Sequence, residues 1–160
     1  MIRALPSTEW LRVALAAALL ATAGPAFAAA GEPFKVVDGL TVYLGVLPAA
    51  MIQGHAPDHP EIAMHGGRPA GQHVYHIVVA VFEAKTGKRL ADIGVSARVS
   101  SLGLAGPRKT LEAMDIADTV TYGNYFELSG EGLYDITIEV ARAGAATPLH
   151  VKFTYEHRLR

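Results

Sequence analysis

The segment GLYDITIEVAR, residues Gly132–Arg142, constrains the fold most. Tyr134, Ile136, Ile138 and Val140 fall on one side of an extended chain, and Asp135, Thr137 and Glu139 on the other. LHVKFTYEHR repeats the pattern, with Val151, Phe153 and Tyr155 inward and Lys152, Thr154 and Glu156 outward. LTVYLGV (Leu40–Val46), TLEAM (Thr110–Met114) and VTYGNYFEL (Val120–Leu128) are further β-rich runs. HVYHIVVAVFEA (His73–Ala84) is nearly continuously apolar, as in a strand covered on both faces, and RLADIGVSARVSS alternates in part. Thr86-Gly87 between these two predicts a hairpin turn. Gly39, Gly106-Pro107, Gly130, Gly144 and Pro148 punctuate the junctions, and an acidic turn separates TLEAM from VTYGNYFEL. No segment after Ala28 reads as a long amphipathic helix. Seven or eight short strands at this length predict an all-β fold, an antiparallel immunoglobulin-like β-sandwich.

The first 28 residues stand apart. Arg3 and Arg12 flank VALAAALLATAGPAFA, which ends in Ala26-Phe27-Ala28, the small-x-small pattern of a signal peptidase site. A cleaved signal peptide over 1–28 is therefore expected, with one domain over 29–160 and a periplasmic destination. The apolar run is short of the ~20 residues that span a bilayer. Cleavage moves the formal charge from −1 to −2, because two arginines and one glutamate leave with it. A slightly acidic chain has no electrostatic attraction for nucleic acid or anionic lipid. The chain has no cysteine, so neither disulfides nor thiolate ligands are available.

Five of the seven histidines, His55, His59, His65, His73 and His76, lie between Met51 and His76 together with Met64. The loop expected over residues 47–72 exceeds the ~12–15 residues usual for unstructured connections. Pro48, Pro57, Pro60 and Pro69 stiffen it. Imidazole suits copper, zinc, nickel and iron; thioether adds softness that favours Cu(I). Only Asp58 and Glu61 could serve a hard cation there. Copper is the expected metal, ahead of iron or zinc. The candidate ligands are Met51, His55, His59, Met64, His65, His73 and His76, with Met114 and His157 as distant additions. Adjacent Gly66-Gly67 would let the chain bend around a group held by Met64 and His65. His73 and His76, three apart on a strand, face opposite sides, so one is a ligand and the other structural; His73, nearer the loop, is favoured. Met51 could equally plug the sandwich end, and His157 could equally be a satisfied core group. Metal affinity through imidazole falls with acidification below ~6.5.

No catalytic constellation competes. There is no Gly-x-Ser-x-Gly, no His-Glu-x-x-His, no phosphate-binding Gly loop and no Cys-x-x-Cys-His. The chain is therefore not expected to be an enzyme.

HVYHIVVAVFEAKTGKRLADIGVSARV followed by GEGLYDITIEV resembles the exported sandwich domains of bacterial copper handling, the YtkA-like and CopC-like families. A fainter resemblance is to periplasmic iron-transport accessory proteins that bind copper in an immunoglobulin-like fold. GLTVYLGVLPA is similar to their opening strand, and Met114 stands before Thr121-Tyr122-Gly123 as a methionine stands before His-Tyr-Gly in theirs. Thr121 replaces that histidine and Tyr75 replaces an acidic ligand, so the resemblance carries over only His73 and Met114. It implies a copper or iron chaperone or transport accessory subunit, working with an envelope metal transporter or an oxidase-assembly partner. The competing readings are a protein-interaction module and a structural subunit of an envelope complex.

Overall fold

The structure, a computed structural model, describes residues 31–54, 71–116 and 119–158. The expected signal peptide therefore lies outside the described residues. Eight strands form, all paired antiparallel: β1 Phe34–Val37, β2 Leu40–Pro48, β3 Val74–Glu83, β4 Gly94–Ser101, β5 Arg108–Ile116, β6 Thr119–Glu127, β7 Gly132–Ala141 and β8 Leu149–His157. One 3-10 segment, η1 (Ala49–Gly54), follows β2, and there is no α-helix among the described residues.

The strands run β1-β2-β3-β6-β5-β4-β7-β8 across one sheet. β5 joins its two halves. Its first residues, Arg108–Leu111, pair with β4, and its last, Glu112–Ile116, pair with β6. The sheet curls until its edges approach. Lys35 of β1 lies 5.7 Å over the Phe153 ring of β8, and Gly31 abuts the Thr154 carbonyl. The outcome is a nearly closed barrel, eight-stranded and all-β as expected. Its interior holds Leu40, Val42, Ile77, Val79, Val81, Tyr122 and Phe126 from one half, and Val95, Val99, Ile136, Ile138, Val140, Val151 and Phe153 from the other. The alternation read in β7 is the one observed, with Tyr134, Ile136, Ile138 and Val140 buried.

Two local features differ from the sequence reading. β1 carries only four residues and no long alternation, but Asp38-Gly39 fixes it. Both have positive φ (47° and 77°), and Val37 pairs with Leu40 across them, the twist a two-residue hairpin requires. The Thr86-Gly87 turn forms, but it does not join paired strands. β3 is already flanked by β2 and β6. The returning chain makes one bridge, Phe82 to Arg89, and then crosses to the other half as β4. Tyr122 holds that crossing. Its hydroxyl donates to the Ala91 carbonyl at 2.5 Å, and burial raises its pKa.

Candidate metal site

Register decides which candidate residues meet. Leu47 pairs with His76, His76 with Tyr125, Val78 with Gly123, Gly123 with Glu112, and Thr121 with Met114. Directly paired residues share a face. All of these therefore stand on the outer face of the β2-β3-β6-β5 half, opposite Ile77, Val79, Tyr122 and Phe126 of the core. An outer face normally meets water and selects polar side chains. Here His76 and Met114 are each only 2% exposed, and Tyr125 packs with Ala49 and Val74 in a small second apolar cluster. η1 packs on β2 and β3 at this end of the sheet.

Gly123 brings the two donors together. A Cβ placed on it would lie 2.5 Å from His76 Nε2, 2.6 Å from the Met114 methyl and 3.1 Å from Met114 Sδ. Imidazole nitrogen and thioether sulfur thus converge over a residue whose missing side chain makes the space. Tyr125 borders the pair, its ring 4.8 Å from the His76 ring and tilted by 35°. Lys109 Nζ, also 5.2 Å over the Phe126 ring, donates to the Tyr125 carbonyl at 2.6 Å and ties β5 to β6 beside it.

The other candidates are placed differently. His73 precedes β3, half-buried, with its carbonyl accepting from Leu128 N at 2.8 Å. It is His76, three residues on, that shares a face with Met114. His157 is 1% exposed, and both its ring nitrogens are engaged: Nδ1 with the Gly130 carbonyl at 2.6 Å, Nε2 with the Tyr75 hydroxyl at 2.7 Å. A carbonyl only accepts, so Nδ1 carries the proton, and in the neutral ring Nε2 accepts from Tyr75. Tyr75 and His76 are sequence neighbours on opposite faces, so His157 sits across the sheet from Met114. Met51 lies in η1, 63% exposed. His55, His59, Met64 and His65 lie outside the described residues. Among the described residues no three His, Asp or Glu side chains gather as a metal cluster.

Sequence reasoning did not single out Gly123. The signal available was its place in Thr121-Tyr122-Gly123, one residue beyond the core-facing Tyr122. What was missing was the register that sets it opposite Val78 and Glu112.

No protein-family model matches this chain, and no curated protein matches it. Solved structures do resemble it. One is a DUF4426 family protein from Pseudomonas aeruginosa PAO1, 18% identical, TM-score 0.59, covering 80% of this chain and 94% of that one. Another is a copper-bound variant of FetP from uropathogenic Escherichia coli, 16% identical, TM-score 0.57, covering 80% and 95%. A third is as-isolated FetP expressed in the periplasm of E. coli, 16% identical, TM-score 0.58, covering 80% and 93%. At these identities the shared property is the fold. The likeness in fold is to FetP and the DUF4426 protein, and it does not point to the YtkA-like or CopC-like families specifically.

Proposed function

We propose that this is a periplasmic copper-binding protein, a chaperone or transport accessory and not an enzyme, and that His76 and Met114 are its principal ligands. The observation that carries the reading is the convergence of His76 Nε2 and Met114 Sδ within 3.1 Å of one point over Gly123. An imidazole and a thioether are the donor types copper takes in an oxidising compartment. The fold likeness to a copper-bound FetP supports the same metal. An envelope transporter or an oxidase-assembly factor is the partner class that would exchange the ion. We also read the curled sheet as an immunoglobulin-like sandwich. The exchange of partners along β5 supports this, as does the Tyr134 hydroxyl, bonded to the Gly130 backbone four residues upstream at 3.1 Å like a tyrosine corner.

Copper titration of the protein beside His76→Gln and Met114→Leu tests the proposal. Submicromolar binding, weakened in both variants, supports it. Binding no tighter than micromolar by the unsubstituted protein overturns it.

A second reading has its own observation. On the same outer face, away from the donor pair, Phe34, Tyr43 and Phe82 pack in a row, the first pair tilted and the second edge-on, with centroids 5.2 and 5.5 Å apart, and Arg89 lies 4.5 Å over Phe82. Phe34 and Tyr43 are more than 40% exposed. Such a row fits a protein-interaction module. That reading expects the copper titration of His76→Gln to match that of the unsubstituted protein.

A further inference from the structure

We infer that the cargo of this site is copper in its cuprous state, and that Met114 is the residue that selects it. The inference rests on the copper-binding reading above and adds the oxidation state.

The donor set carries the argument. The two atoms that meet over Gly123 are an imidazole nitrogen and a thioether sulfur, both uncharged as ligands and both on side chains 2% exposed. The other residues of this face beside them include Gly45, Leu47, Val78, Thr121 and Tyr125. One carboxylate stands in the row, that of Glu112, an exposed residue paired with Gly123. Copper(II) takes tetragonal sites of nitrogen and oxygen donors, and thioether sulfur selects Cu(I). Desolvation points the same way. The Born cost of burying an ion grows with the square of its charge, so a divalent ion costs about four times a monovalent one of equal size. Two neutral donors offset the smaller cost far more readily than the larger. A cupric or zinc site here would call on Glu112 as its anionic ligand.

The experiment is a pair of competition titrations on the purified protein. One uses Cu(I) with a cuprous chelator under reductant, the other Cu(II) with a cupric chelator, and each is repeated on Met114→Leu and Glu112→Gln. Far-UV circular dichroism checks that each variant is folded. The expected result is that the protein binds Cu(I) more tightly than Cu(II). Met114→Leu should lower Cu(I) affinity by at least the ~10–100-fold that loss of an outer-shell partner costs. Glu112→Gln should leave it unchanged. X-ray absorption of the Cu(I) form should show a sulfur scatterer that disappears in Met114→Leu. Tighter binding of Cu(II), a strong Glu112 dependence, or Cu(I) binding with no sulfur from Met114 overturns the inference while leaving a copper-binding protein. Absence of binding by either ion overturns the copper-binding reading itself.

Discussion

Among the described residues two histidines are fully buried, and they differ in what surrounds them. His157 is enclosed by protein polarity: a carbonyl at one nitrogen, a hydroxyl at the other, and the rings of Tyr75 and Tyr134 edge-on at 4.9 and 5.8 Å. His76 sits across the same sheet, near a methionine thioether, a tyrosine ring and the backbone of a glycine. Burial alone therefore says nothing about a histidine's role. A ring whose hydrogen-bonding capacity is used by fixed protein atoms is a structural strut. The other ring brings its Nε2 near a thioether sulfur over Gly123, and on that geometry the proposed copper site rests.

The comparison breaks first on His157. Truncation to Ala removes a buried ring and strips Gly130 O and Tyr75 Oη of their shared partner. We expect a loss of about 4 kcal/mol in chemical denaturation, with Cu(I) affinity of the folded fraction unchanged. A variant that kept its stability but lost copper would reverse the roles assigned to the two rings.

Gly123→Ala is next. Its Cβ would fall 2.5 Å from His76 Nε2 and 2.6 Å from the Met114 methyl, so both buried side chains must shift. Overpacking of this kind costs about 1–3 kcal/mol, and the displaced donors should bind copper more weakly. Urea denaturation and metal titration of the same sample check both halves. Unaltered copper affinity would show that the approach to Gly123 does not organise the site.

The smallest effect lies where β5 and β7 flank β4. Arg108 binds Glu139 with two hydrogen bonds, at 2.6 and 3.1 Å, and that contact holds the Glu139 carboxyl below its ordinary pKa. A carboxyl depressed in the folded state stabilises it above the unfolded pKa, and the contribution is lost as pH falls through the folded value. Arg108 is half-exposed, so the pair is worth less than about 1 kcal/mol. Arg108→Gln should lower stability slightly at neutral pH and leave it the same as the unsubstituted protein at strongly acid pH, in denaturation series across pH. Neither histidine comparison should change in that variant.

These contrasts also mark what the amino-acid order reveals. Period-two alternation makes β7 and β8 legible residue by residue, because each has one face in the core and one in water. β1 escapes such a reading although Asp38-Gly39 announces its hairpin; four residues leave no period to count. The crossing after Thr86-Gly87 is hidden because a turn signal shows that the chain reverses, not which strand edge is still free. The site follows the same rule. The opposition of His73 and His76 across the strand is readable from parity. Which of them meets Met114 depends on the β3–β6 and β5–β6 registers, which are set by packing between strands distant in sequence. Proximity to the histidine-rich segment favours His73; the pairing of His76 with Tyr125 and of Met114 with Thr121 places His76 instead.

The most direct measurement uses the chain's four methionines. With their methyl carbons labelled, a methyl NMR spectrum is recorded before and after one equivalent of Cu(I). The account predicts that the Met114 methyl shifts, together with the His76 imidazole signals, while that of exposed Met51 stays in place. A spectrum in which Met51 or Met64 moves and Met114 does not would contradict it.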